Sequence, residues 1–109
     1  MKLITKDLRK QLPALYSQEN EKDPWVICKF FLPMTKWTWY ATEFDGKDTF
    51  FGFVSGEYPE LGYFSLSELE NLEDLYGIGV ERDMYFETTR LSRIRTEYEQ
   101  SINADTVNL

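Results

Sequence analysis

Apolar positions along this chain switch between a helical and a strand period, and each switch marks a boundary. Leu8, Leu12 and Leu15 recur at the i, i+4, i+7 spacing of one helix face behind Thr5, a natural N-cap, with Ile4 just ahead of it. Pro13 removes a backbone donor and clashes one turn back, so this helix is expected to break or restart near Gln11 to Pro13. SQENEKDP, residues 17–24, is polar and ends in proline, which reads as a loop. WVICKFFL, residues 25–32, is β-branched and aromatic and too short for a helix; it reads as a strand buried on both faces and ended by Pro33.

Residues 36–44 and 49–54 then read as two strands of a hairpin around Asp45-Gly46. A two-residue turn sets Trp39 opposite Gly52 and Trp37 opposite Val54 on one face, with Tyr40 opposite Phe51 and Thr38 opposite Phe53 on the other. That register also opposes Glu43 and Asp48, which is unfavourable. A four-residue loop from Asp45 to Asp48, pairing Phe44 with Thr49, is the alternative.

Residues 60–64 form a further short strand, and Ser65-Leu66-Ser67-Glu68 is a capping box with Phe64 and Leu69 as its hydrophobic staple. Leu66, Leu69, Leu72, Leu75 and Tyr76 supply the buried stripe of the helix that follows, Glu68, Glu70, Glu73 and Asp74 its wet side, and Gly77 its stop. Val80 to Phe86 alternates as an outer strand with one solvated face. Leu91, Ile94 and Tyr98 mark a short C-terminal helix, while SINADTVNL has too little apolar content to stay ordered alone. The order of elements predicts an α+β fold: a twisted antiparallel sheet of four to five strands with helices packed on one face. Residues 1–98 form the single domain and 99–109 a polar, flexible tail.

Length and composition agree with one packed core: 109 residues, 42% hydrophobic and 17% aromatic. The N-terminus lacks the apolar stretch of a signal peptide and no run approaches a membrane span, so a cytoplasmic protein is expected. Net charge is −7, concentrated in one segment. Residues 57–89 hold nine acids against the single Arg82, whereas the segments on either side are nearly balanced. Such a block repels phosphate backbones and favours basic partners.

The inventory of chemistry is short. The chain has no histidine, which removes the commonest general base and every histidine-based dyad. Cys28, the only cysteine, lies in an apolar run and reads as a buried thiol. Glu43, Asp45 and Asp48 gather at the hairpin tip, but their spacing is not that of a calcium loop and Asp-Gly belongs to the turn, so no metal site is expected. The aromatic hairpin could stack bases, yet only Lys36 and Lys47 accompany its rings, so direct nucleic-acid binding is not expected either.

The hairpin WTWYATEFDGKDTFFGFV, the following ELGYFSLSELE and the later ERDMYF resemble, in this order and spacing, a family of small bacterial proteins catalogued as a domain of unknown function and met on plasmids, conjugative elements and phages. The resemblance covers roughly residues 2–95. It brings no assigned activity and no catalytic residues; its mobile-element setting implies an accessory or counter-defence role. The expectation is a non-enzymatic interaction protein, an acidic, DNA-mimic-like inhibitor of a host nucleic-acid-processing or defence enzyme. Its partner would be a basic surface of a host protein, met by the acidic face of Glu57, Glu60, Glu68, Glu70, Glu73, Asp74, Glu81 and Asp83. The alternative is a small-ligand or nucleotide-binding domain using exposed hairpin rings, with Trp37, Trp39 and Tyr40 as candidates. Neither reading calls for a cofactor or a membrane.

Overall fold

The computed structural model describes residues 2–107. Helix α1 (Lys6–Gln11) is capped by the Thr5 hydroxyl, which accepts the Leu8 N–H, and it ends before Pro13 as expected. The apolar run after Pro24 is divided: β1 (Trp25–Val26) and β2 (Cys28–Phe31) flank Ile27 and pair with different neighbours. Then come β3 (Thr38–Phe44), β4 (Thr49–Ser55), β5 (Pro59–Ser65), α2 (Leu66–Asn71), β6 (Glu81–Arg82), β7 (Thr89–Arg90) and α3 (Leu91–Val107). Five strands form an antiparallel sheet in the order β5-β4-β3-β2-β6, and β1 with β7 makes a separate ribbon. This is the expected α+β class.

The helices, however, divide between the two faces of the sheet rather than sharing one. On one face Phe30, Trp39, Phe44, Phe50 and Phe64 pack with Leu66 and Leu69 of α2, with Leu8 of α1 against their edge. Phe44, Phe50 and Phe64 stack in a row at centroid spacings of 4.3 and 5.0 Å. On the opposite face Phe53 and Val26 pack with Leu91 and Ile94 of α3, and Tyr98 meets the Phe53 ring edge-on. Each fully buried ring contributes roughly 2–3 kcal/mol, and the hairpin carries rings on both faces. Both faces therefore need cover, and α3, which continues beyond the expected Tyr98 to Val107, supplies the second.

Up to Ala41 the hairpin register differs from the two-residue-turn expectation without changing which face a residue occupies. Trp39 pairs with Val54, Tyr40 with Phe53 and Ala41 with Gly52, a slip of two, so side-chain parity is preserved. Gly52 thus lies opposite Ala41 rather than Trp39. A β-bulge follows between Ala41 and Glu43, after which Glu43 pairs with Phe51 and Phe44 with Phe50. Burial cannot choose between registers of equal parity, so the choice falls to the tip, where apposing Glu43 and Asp48 would cost up to about 1 kcal/mol. In the observed register Asp45 instead accepts the N–H groups of Lys47, Asp48 and Thr49, and Asp48 accepts the N–H and hydroxyl of Ser67 at the start of α2.

Helix α2 begins where the capping box places it, with Ser65 Oγ accepting the Glu68 N–H at 3.0 Å, but stops at Asn71. Leu72, Leu75 and Tyr76 are exposed, not a buried stripe. Asp74 causes the difference, because its Oδ1 accepts the N–H groups of Tyr76 and Ile78 and closes a turn containing Gly77 at φ 75°. Only Glu81 and Arg82 of the expected last strand pair with the sheet, at its β2 edge.

Candidate functional site

Helix α3 covers the Phe53 half of its face and leaves Phe51, Leu61 and Tyr63 beside a cleft of about 440 Å³. The bulge creates this site. Two consecutive residues, Thr42 and Glu43, turn to the same face and line the cleft, where regular alternation would have sent one of them into the opposite core. Thr42 Oγ1 donates to the Phe51 carbonyl at 2.9 Å, which fixes the bulge against β4.

The facing wall is the loop between α1 and β1, stitched to β3 by long-range hydrogen bonds. The buried Glu43 carboxylate accepts the Tyr16 N–H at Oε1 and the Gln18 N–H at Oε2, both at 2.8 Å. The Gln18 amide donates to the carbonyls of Thr42 and Trp25 and accepts the Trp25 N–H. Phe44 N–H donates to the Pro13 carbonyl at 2.9 Å. The loop thereby holds Tyr16 at φ 71°, a conformation that bulky side chains rarely adopt and that costs roughly 1–3 kcal/mol.

Tyr16 remains 59% exposed and Tyr63 57% exposed, their hydroxyls 3.4 Å apart. That hydrogen bond, assisted by desolvation, raises the Tyr63 phenol above its ordinary value. The Phe51 ring meets Tyr63 edge-on at 5.1 Å. From α3, Arg95 joins the lining with its guanidinium over the Phe53 ring at 5.1 Å, and Lys22 stands across from it in the loop. Among the described residues, no carboxylate lies within 4 Å of the charged end of Arg95 or Lys22. Glu21, by contrast, pairs with Arg90 at 3.8 Å.

The rings named from the sequence lie elsewhere and are divided between the two faces of the sheet. Trp37 stacks on the buried Trp39 at 6.0 Å and 22° on the α2 face, resting on Gly56, where a Cβ would come within 2.3 Å of its ring. Tyr40 occupies the other face between Phe53 and Phe86, with Lys29 Nζ 5.7 Å above its ring. The acidic residues are likewise dispersed. Glu57 sits in the β4–β5 turn, 3.7 Å from Lys36, and Glu60 lies in β5. Glu68 and Glu70 belong to α2; Glu73 and Asp74 lie in the turn beyond it, where Asp74 Oδ2 is buried without a hydrogen-bond partner among the described residues. Glu81 is in β6, and Asp83, just beyond it, pairs with Lys29 at 3.7 Å. Strands β5 and β6 form opposite edges of the sheet, so Glu60 and Glu81 are separated by the width of three strands.

Sequence reasoning missed Tyr16, Phe51, Tyr63 and Arg95. The available signal was Glu43, a charge inside an otherwise apolar strand, with Leu61 and Tyr63 alternating in the strand that follows. Cys28 is buried as expected, and burial pushes its thiol up to about 12, with Arg82 partly opposing the rise. Among the described residues there is no group of three His, Cys, Asp or Glu able to hold a metal ion, and no helix long and apolar enough to cross a membrane.

No curated protein and no solved structure matches this chain. The expected resemblance to a family of unknown function does hold: residues 3–106 match the family described as protein of unknown function (DUF2958), and the chain belongs to that family.

Proposed function

We propose that this protein is a non-enzymatic binding protein, that its site is the cleft between the Tyr16 loop, β5 and α3, and that its ligand is a planar ring carrying one anionic group. The observation that carries this reading is the use of Glu43. A buried carboxylate engages both of its oxygens to hold an aromatic residue at positive φ, yet Tyr16 adds little to the core because most of it remains in solvent. Strain maintained in this way is characteristic of ligand clamps. A volume of about 440 Å³ suits a small organic molecule, for which clefts of roughly 300–1,000 Å³ are usual.

The lining selects the ligand class. Tyr16, Phe51 and Tyr63 offer ring surfaces for stacking, and the phenols offer hydrogen-bond donors at the rim. The buried Glu43 is turned to the backbone N–H groups of Tyr16 and Gln18 and Glu21 is held by Arg90, while Lys22 and Arg95 have no carboxylate within 4 Å among the described residues. These two cations, rather than the net charge of the lining, are what an anionic group would meet. The expected use of hairpin rings for ligand binding thus moves from Trp37, Trp39 and Tyr40 to Phe51 and its neighbours.

Backbone amide spectra recorded during titration with adenosine monophosphate and with indole-3-acetate test the proposal, with adenosine and indole as uncharged controls. Shifts confined to Tyr16, Phe51, Tyr63 and Arg95, with a Kd below about 1 mM (about 4 kcal/mol), are expected for an anion of this class. Arg95→Ala should weaken that binding about tenfold. Silence of these four amides towards every compound at several millimolar would sink the reading, and equal response to the uncharged pair would remove the anionic group from it.

A further inference from the structure

Strand β5 is hydrogen-bonded to β4 in an unbroken register from Pro59 opposite Ser55 to Ser65 opposite Thr49. It is the outermost strand on its side, so its other edge presents backbone N–H and C=O groups to solvent. Edge strands in soluble proteins are usually protected by shortness, bulges, proline, inward-pointing charge or a covering element. Pro59 and Glu60 protect only the beginning of β5; Leu61 to Phe64 carries no such device, and the strand is seven residues long. The opposite edge strand, β6, has two residues and is closed to extension by its length.

Side chains along this edge add specificity. Leu61 and Tyr63, 45% and 57% exposed, stand on the cleft face. On the other face Gly62 leaves a gap: a Cβ there would meet no heavy atom within 4 Å. Acids border both ends, Glu57 and Glu60 at one and Glu68 and Glu70 at the other, all exposed.

We infer that β5 accepts an extended segment of a partner protein by strand addition. The segment carries apolar residues beside Leu61 and Tyr63, a ring over Gly62 and basic residues at its ends. Main-chain hydrogen bonds supply affinity and the alternate positions supply selectivity. Charge argues for a basic partner rather than a second copy of this chain. Antiparallel pairing of two β5 strands about Gly62 would bring the end of one copy that carries Glu57 against the end of the other that leads into Glu68 and Glu70 of α2, in a protein of net charge −7. The inference goes beyond the proposed cleft ligand, and it stands without that ligand because it rests on the backbone of β5.

The test uses the full chain and a labelled heptapeptide, Lys-Thr-Val-Phe-Val-Arg-Lys, which satisfies those requirements in antiparallel register. Polarisation should show saturable binding, and the amides of β5 should gain hydrogen-exchange protection. A peptide of the same sequence, N-methylated at alternate residues to remove the edge donors, should bind at least tenfold more weakly, as should one with Glu replacing its three basic residues. Leu61→Lys, an exposed substitution compatible with folding, should weaken binding by a similar factor. Absence of binding at 1 mM peptide, equal binding of the N-methylated peptide, or unchanged β5 exchange would each overturn the inference. Concentration-dependent dimerisation of the protein alone with protection of β5 would also overturn it, assigning the edge to a second copy.

Discussion

Glu43 Oε1 accepts the backbone N–H of Tyr16 at 2.8 Å, joining strand to loop across 27 residues of chain. The partner oxygen accepts the Gln18 N–H, so one side chain satisfies two donors that would otherwise be left without an acceptor beneath the loop. Glu43→Gln keeps one carbonyl oxygen but turns an NH₂ towards an N–H, and should cost about 1–2 kcal/mol. Glu43→Ala leaves both donors unmet and should cost about 3 kcal/mol, with faster exchange at the amides of Tyr16 and Gln18. Chemical denaturation of the three proteins gives the order. An alanine variant within about 0.5 kcal/mol of the parent would mean that this carboxylate does not secure the loop.

Gly56 is the seat of the Trp37 ring. With a Cβ within 2.3 Å of that ring, Gly56→Ala must push the indole off Trp39 and forfeit the stack at 6.0 Å, worth roughly 1 kcal/mol beyond its area. Two indoles 6.0 Å apart couple their ultraviolet transitions wherever their in-plane axes are twisted against each other, and that coupling appears as a couplet in the far-ultraviolet circular dichroism spectrum. The parent protein should show it, and Gly56→Ala and Trp37→Ala should each abolish it while the remaining spectrum stays folded. Retention of the full couplet in Gly56→Ala would show that the two indoles are not held together by this glycine.

Features written in local chemistry were legible in the sequence; those that depend on distant partners were not. Ser65 caps α2 as read, because a cap needs only its own next turn. The end of α2 was misread because leucine spacing promised a longer stripe, while Asp74 offered the backbone a turn instead. Face assignments in the hairpin survived a register slip of two up to Ala41, because strand parity has period two, and the bulge reversed them at Glu43 and Phe44. The bulge was not foreseen, though the clash of Glu43 with Asp48 pointed to trouble in that register. The cleft was the least legible part, since Tyr16 and Gln18 find their acceptor 27 and 25 residues away. Nothing in the polar loop sequence distinguishes those residues from their neighbours.

Asp45 gives the hairpin tip an acid limit. Three backbone N–H groups, from Lys47, Asp48 and Thr49, hold its carboxyl below the ordinary value of 3.8. Asp23 shifts in the same direction through the hydroxyl and N–H of Ser92. In the window between each ordinary value and the lower folded value, the unfolded chain holds a proton that the native chain does not. Stability from these groups is therefore complete above 3.8 and is lost as pH falls through the folded values. Asp45→Asn should be less stable than the parent at neutral pH, and the difference should shrink as pH drops below about 4. Denaturant midpoints from about pH 6 to about pH 2.5 measure it. A gap that stays constant or widens in acid would contradict this account of the tip.

Cys28 sets the corresponding limit in alkali. Burial raises its thiol from 9.0 to about 12 in the folded protein, against a smaller lowering by Arg82. Only the thiolate reacts with disulfide reagents, so at pH 8 the native thiol should label roughly a thousandfold more slowly than the unfolded one on charge alone. Enclosure in the core slows it further, and the observed rate should follow the opening of the fold and rise with denaturant. Between 9.0 and about 12 the unfolded chain gives up a proton that the native chain retains, so stability declines as pH rises through that window. Cys28→Ala should lose stability at neutral pH through the small cavity it leaves, yet show a shallower decline above pH 9. Stoichiometric labelling of the native protein at the rate of a free thiol would mean that Cys28 is not buried in the core beside Phe30 and Ala41.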